Sequence, residues 1–190
     1  MLSQPVVADL VHQALRGQPE AFTALVRAFL RPAYSVALSV LGRPTDAEDV
    51  AQDAFMKAFA SLETCREPEH FAAWFFQIVR NRARNLLDSR RLRDVAAETP
   101  DEGKVLEFSN PAPEAAGMRQ ALLDALNDLD PQKREVVLLH DLENWTHGEI
   151  AQALDISEVH SRQHLFRARQ ILCARLDGDL HKQTEEHHVR

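Results

Sequence analysis

A chain of 190 residues, 45% hydrophobic and 27% charged, holds one globular domain or two small ones, and six Gly with nine Pro exclude a low-complexity chain. No apolar run approaches the roughly 20 residues that span a bilayer. The start MLSQPVVADLVHQ lacks the basic and apolar segments of a secretory signal, so the sequence reads as cytoplasmic, without insertion into the membrane. A formal charge of −7 and a pI near 5.7 argue against a free-standing tight binder of nucleic acid, whose footprint is basic. Cys65 and Cys173 belong to no CxxC pair. Neither a disulfide framework nor a zinc knuckle follows, and both thiols read as small buried hydrophobes.

Apolar periodicity makes every strong segment helical. Phe22, Leu25, Val26, Phe29, Ala33, Val36, Ala37 and Val40 step by three and four, with Pro32 a candidate kink. Val50, Ala54, Phe55, Ala58, Phe59 and Leu62 follow the same rule, behind a capping box expected from Thr45 and Glu48. Pro68 suits a helix first turn, and Phe71, Trp74, Phe75, Ile78, Val79 and Leu86 form the next stripe. No alternating Val/Ile/Thr-rich run competes as a strand. The expected fold is therefore all-α, with residues 1–93 as a first helical domain.

The charge is segregated along this order. Residues 43–56 carry Asp46, Glu48, Asp49 and Asp53 against Arg43, whereas residues 71–93 carry six Arg and no Lys against Asp88. Residues 94–117 are acidic again and broken by Pro100, Pro111 and Pro113, the composition of a flexible linker. A second small domain is expected over 118–178, with its own modest core and a polar, frayed tail at 179–190. Within it, Met118, Leu122, Ala125, Leu126 and Leu129 make a helix stopped by Asp130-Pro131, and a second runs through Val136, Val137 and Leu139. Thr146 with Glu149 reads as a capping box, Trp145 with Ile150 as a hydrophobic staple, and Asp155 as the left-handed stop of a short helix. Ser157 caps the last helix, whose inner face is Ser161, Leu165, Ala168, Leu172 and Leu176. Two short helices across a tight turn, spanning 147–166, form a helix-turn-helix pattern.

The constellations favour binding over catalysis. Arg80, Arg84 and Arg91 share a helix face with Asn81 and Asn85 beside them; guanidinium groups neutralise phosphates and amides read base edges. The bland reading of such a face is solvation, which six arginines among aromatics make less economical. The last helix would project Glu158, Arg162, Gln163, Phe166, Arg167, Arg169 and Gln170 toward a major groove. Asp49 and Asp53, four residues apart, are paired carboxylates for a metal or part of an acidic docking face. His160 and His164 stand one turn apart without a third ligand, so they and the other histidines read as surface imidazoles, and no metal site or cofactor is assigned. No Gly-rich phosphate loop, GxSxG, HExxH or nucleophilic Cys motif is present; no catalytic residue follows, and the chain does not read as an enzyme.

Taken together, DAEDVAQDAFMKAF (46–59) with HFAAWFFQIVRNRARNLLDSRR (70–91), and LNDLDPQKREVVLLHDLENWTHGEIAQAL (126–154) with DISEVHSRQHLFRAR (155–169), resemble regions two and four of the extracytoplasmic-function sigma factors of bacterial RNA polymerase. Asp49, Gln52, Asp53, Phe55 and Trp74 occupy signature positions of region two. The resemblance implies that Asp49, Gln52, Asp53, Phe55, Met56 and Phe59 bind core polymerase at the beta-prime clamp, with the beta flap as a further contact. It implies minus-ten promoter recognition by Arg66, Trp74, Gln77, Arg80, Asn81, Arg84, Asn85 and Arg91, and capture of an unpaired base near the loop 61–70. Minus-thirty-five recognition falls to Ser157, Glu158, His160, Arg162, Gln163, Phe166 and Arg167. An anti-sigma factor, commonly membrane-anchored, is the implied inhibitor.

The chain departs from that family where it reads the upstream element. Val159, His160 and Ser161 replace Gly-Thr-Val, and Arg162, Gln163 and His164 replace Lys-Ser-Arg. Ser161 thus takes a site usually held by a buried branched apolar residue, and Asn144 stands for a turn Gly. The alternative reading is a helix-turn-helix regulator that binds an operator without polymerase; a more distant one is a metal enzyme built on the Asp pair or the histidines.

Overall fold

The computed structural model describes residues 2–96 and 113–187, with side chains for 2–90, 92 and 117–176. Most of the expected acidic linker, residues 97–112, and the last three residues lie outside the described residues. The elements are α1 (Gln4–Leu15), α2 (Pro19–Leu41), α3 (Pro44–Ala60), α4 (Phe71–Ala96), α5 (Pro113–Asn127), α6 (Pro131–Val137), α7 (His147–Leu154) and α8 (Glu158–His187). Among the described residues there is no strand. Single 3₁₀ turns at Leu62–Thr64 and Pro68–His70 join α3 to α4, and a π-turn at Leu138–Leu142 follows α6.

In the first domain the helices bury the faces that their periodicity marks, except that Phe59, counted in the α3 stripe, stays 63% exposed at its edge. Leu25, Phe29, Ala33 and Val36 of α2 meet Val50, Ala54, Phe55 and Ala58 of α3 and Phe71, Phe75 and Val79 of α4. The helix α2 continues through Pro32. By length and apolarity it also passes for a membrane span, but its apolar face is packed inside this bundle. Four Phe rings interlock at its centre, Phe29 edge-on to Phe71 at 5.2 Å and Phe71 stacked on Phe75 at 5.6 Å; such pairs add about 0.5–1.5 kcal/mol beyond area burial.

One expected cap is not made. Pro44, pre-set for the first helical turn, starts α3 with Arg43 as N-cap and no side-chain cap bond. Thr45 therefore lies inside the helix, where its hydroxyl cannot cap.

Local signals in the second domain hold. Asp130 caps α6, its Oδ1 accepting from the Lys133 amide at 3.0 Å. Thr146 and Glu149 form the capping box of α7, Asp155 takes φ +54 and Asn144 φ +57, conformations that Asp and Asn tolerate better than most residues. Ser157 Oγ accepts from the His160 amide at 3.1 Å. Replacing Thr146 by Ala removes one side of the box and is expected to lower stability by about 1 kcal/mol, readable by urea denaturation. The helix α8 runs on to His187, through the tail expected to be frayed.

The two expected cores are one. A continuous apolar cluster runs from the first domain into Val136, Leu139, Trp145, Ile150 and Leu165 of the second. Trp145, 2% exposed, is the join: its ring lies 5.4 Å from Phe76 and 6.4 Å from Phe29. Amphipathic periodicity counts the faces inside each segment and is blind to a residue that crosses between domains. The thiols also part company. Cys65 is buried, with burial and then Glu69 and Glu67 pushing it up to about 11, whereas Cys173 is exposed on α8.

Candidate functional site

The acidic helix α3 presents an outer face. Asp49, Gln52, Met56 and Phe59 are exposed along it, and Met56 and Phe59 keep 65% and 63% of their surface in water. Phe22 supports Phe59 edge-on at 5.0 Å. Asp53 completes the face while accepting from Arg82 of α4 at 3.1 Å, an exposed pair of small energetic weight. Phe55 is a core residue: it is 6% exposed and packs on Phe75 at 4.5 Å, because it shares the inner stripe of α3 with Ala51, Ala54 and Ala58, all buried, and that stripe faces the bundle. It therefore backs the face from beneath.

Along α4, Gln77, Asn81, Arg84 and Asn85 are exposed, and Gln77 Nε2 donates to Asn81 Oδ1 at 3.0 Å. Trp74 is half-buried beside Phe71, and Arg66 is exposed on the loop before α4. The Arg91 side chain lies outside the described residues. Arg80 stands apart from its row. Its side chain is only 13% exposed, and its guanidinium forks onto Glu135 of α6, with Nη2 2.9 Å and Nε 3.1 Å from Oε1. Burial pushes the Glu135 carboxyl up, against the opposing pull of Arg80.

The outer face of α8 carries Glu158, His160, Arg162, Gln163, Phe166 and Arg167, all exposed, with Ser157 at its start. Phe166 is 64% and Val159 57% exposed, apolar groups available to a thymine methyl. Arg162 donates to Glu158 one turn back at 2.7 Å. The inner face is as expected: Ser161, Leu165 and Ala168 are buried, and Leu172 and Leu176 half-buried.

The unusual Ser161 has a partner that sequence reasoning missed. A 2.9 Å hydrogen bond joins its hydroxyl to His147 Nδ1, so a polar pair fastens α7 to α8, with the Ser161 end fully buried and the His147 end half-buried. The His147 ring stacks on His140 at 4.8 Å. His140 Nδ1 lies 2.8 Å from Asp141, which in turn accepts from Arg169 Nε at 3.0 Å. Burial and then His140 and Arg162 hold His147 below the ordinary imidazole value of 6.5, and burial lowers His164 likewise. A depressed imidazole binds fewer protons folded than unfolded, so stability falls as pH drops below about 6.5 and is flat from this source above it. The raised Glu135 slopes the other way from its ordinary 4.5. The clean readout is a difference: His147→Gln, which can still pair with Ser161, is expected to flatten the acid-side loss of melting temperature relative to the parent chain. Among the described residues, no three His, Cys, Asp or Glu side chains gather as a metal site.

Comparison with known proteins decides between the readings left open. Sigma-70 region 2 matches residues 25–93, and Sigma-70 region 4 matches residues 119–172. The chain is 31% identical over 183 residues to the RNA polymerase sigma factor NccH of Alcaligenes xylosoxydans, covering 93% of this chain and 98% of that one. It is 31% identical over 176 residues to the ECF RNA polymerase sigma-E factor of Escherichia coli K12, covering 86% and 90%. A probable sigma factor, RfaY of Xanthomonas campestris, is 30% identical over 85% of this chain, which spans only 41% of that longer protein. This chain belongs to the extracytoplasmic-function sigma factors. In three dimensions it is similar to CnrH, solved in complex with the cytosolic domain of CnrY, with a TM-score of 0.65, 29% identity and coverage of 92% of this chain and 99% of that one.

The sigma factor is accordingly a transcription initiation factor and neither an enzyme nor a free-standing regulator. Its helix-turn-helix and its acidic and basic helices sit on one shared core. Besides His147, local pattern missed Glu135 and Arg134. Both are charged residues inside a run, 134–139, that is buried throughout, and that placement was the one signal available. The Arg134 guanidinium donates to the carbonyls of Leu126, Asn127 and Leu129 and, across the domains, to Ser39 O at 2.8 Å.

Proposed function

We propose that this cytoplasmic sigma factor docks on core RNA polymerase through the outer face of α3, with Asp49, Gln52, Asp53, Met56 and Phe59 in contact with the beta-prime clamp and Phe55 holding the face in shape. Two exposed apolar side chains inside an acidic row support this reading. Isolated carboxylates favour water, whereas apolar groups of this size left 63–65% exposed gain from being covered by a partner. The second domain would add a contact to the beta flap.

Arg66, Trp74, Gln77, Asn81, Arg84 and Asn85 would then engage the minus-ten element, with Arg80 and Arg91 as further phosphate partners. The α8 face from Ser157 to Arg167 would enter the major groove of the minus-thirty-five element. With Val159, His160, Gln163 and His164 in place of the usual residues, the upstream sequence preferred here differs from that of other family members. An anti-sigma factor, anchored at the membrane, would hold the protein inactive by covering α3.

The negative net charge fits this division of labour. A subunit carried to DNA by a large enzyme gains nothing from long-range attraction to DNA of its own. The test is reconstitution: the full chain co-elutes with bacterial core polymerase and lets it form heparin-resistant complexes on promoter DNA. Specific duplex binding by the chain alone at physiological salt, with no effect on polymerase, would overturn the proposal.

A further inference from the structure

A circuit of polar side chains closes around the first half of the last helix. Ser161 is fully buried in the inner stripe of α8, and its hydroxyl is bonded to His147, the first residue of α7, at 2.9 Å. The His147 ring stacks on His140 of the π-turn at 4.8 Å, His140 Nδ1 donates to Asp141 at 2.8 Å, and Asp141 Oδ2 accepts from Arg169 of α8 at 3.0 Å. The circuit leaves α8 at Ser161 and returns to it at Arg169, about 12 Å further along the axis. On the opposite face of that stretch stand Arg162, Gln163, Phe166 and Arg167, all exposed. Two directional fastenings about two turns apart fix the tilt and rotation of a helix, whereas an apolar contact at position 161 would be non-directional.

The circuit is poorly built for one more positive charge. Glu158 already accepts from Arg162 at 2.7 Å, Asp141 serves both Arg169 and His140, and Glu149 of α7 is engaged with Thr146. Burial, then His140, Arg162 and Arg169 oppose protonation of His147, and Glu158 favours it.

We propose that His147 and Ser161 are positioning residues for upstream promoter recognition: with His147 neutral, the circuit holds α8 in the orientation in which its outer face reads bases, and a proton on His147 releases it. The inference rests on the placement of that face on the minus-thirty-five element. Acid then lowers sequence preference more than affinity, because added positive charge strengthens phosphate contacts whatever the sequence.

The test uses holoenzyme, the full chain on core polymerase, with promoter duplexes randomised at the upstream element. Enrichment of the preferred sequence over the pool is expected to fall about tenfold, the worth of one good base contact, between about pH 8 and about pH 5.5. His147→Gln, which keeps a hydrogen-bonding group toward Ser161 without a titrating ring, is expected to match the parent at the higher pH and to keep its enrichment at the lower. His147→Ala, checked for folding by circular dichroism, is expected to lose about tenfold at both. Undiminished enrichment by His147→Ala overturns the positioning role, and equal acid losses in the parent and His147→Gln overturn the role of the proton. A second arm needs no DNA. In nuclear magnetic resonance of the full chain, acid is expected to shift the α8 amides more in the parent than in His147→Gln; His160 and His164 belong to both chains, so the difference reports His147. Equal shifts overturn the release. A parent holoenzyme that enriches no upstream sequence, while the α8 amides still differ, overturns the placement of α8 on DNA instead.

Discussion

Trp145→Ala is expected to lower the unfolding free energy by about 3–5 kcal/mol, the cost of emptying a large aromatic site in a packed core. The expected size follows from what the ring touches. It is 2% exposed, it packs against both Phe29 and Phe76 of the first domain, and it precedes the capping box that starts α7. One substitution therefore loosens the entry to the helix-turn-helix and the seam between domains together. Urea denaturation followed by helical circular dichroism reads the loss, and Trp74, the other of the two tryptophans, reports the first domain separately by fluorescence. A change within about 0.5 kcal/mol, the range of ordinary surface substitutions, would mean that the two cores are independent.

The second large effect concerns binding, with folding left alone. Asp49→Ala combined with Phe59→Ala is expected to weaken affinity for core polymerase by about 100-fold or more, as loss of a central anchor and its neighbouring charge does at protein interfaces. Stability should move little, because Asp49 is exposed and Phe59 is 63% exposed; exposed positions usually stay within about 0.5 kcal/mol, with somewhat more here for the lost Phe22 contact. Asp53→Ala serves as the milder comparison, since its carboxylate is shared with Arg82. Titration of fluorescently labelled sigma factor with core polymerase measures all three. Equal affinity for parent and double variant would place the docking surface elsewhere.

How much of this was legible in the sequence divides by range. Features set by three or four neighbours came through: the helix faces of α2 and α4, the Thr146–Glu149 box, the left-handed Asp155, the Ser157 cap and the inner stripe of α8. Thr45 failed for a local reason, since Pro44 beside it fixes the helix start more firmly than a hydroxyl does. What remained hidden lies between residues far apart in the chain. Arg80 and Glu135 are 55 positions apart, and nothing in the period of α4 distinguishes Arg80 from Arg84. Glu135 could be suspected only as a charge inside an apolar run. Ser161 looked like a defect in the helix-turn-helix core until His147, 14 residues earlier, supplied its hydrogen bond. Periodicity alone omits Phe76 from the buried stripe of α4, because a ring that covers it, Trp145, belongs to the other domain.

The division of labour between the outer α3 face for polymerase and the exposed faces of α4 and α8 for DNA is tested most directly by contact mapping in the assembled complex. A photo-crosslinking amino acid placed at Phe59, in the full-length sigma factor bound to core polymerase on promoter DNA, should label the clamp of the largest polymerase subunit and leave the DNA unlabelled. Labelling of promoter DNA from that position, or no crosslink to polymerase from a complex that has formed, would contradict the assignment.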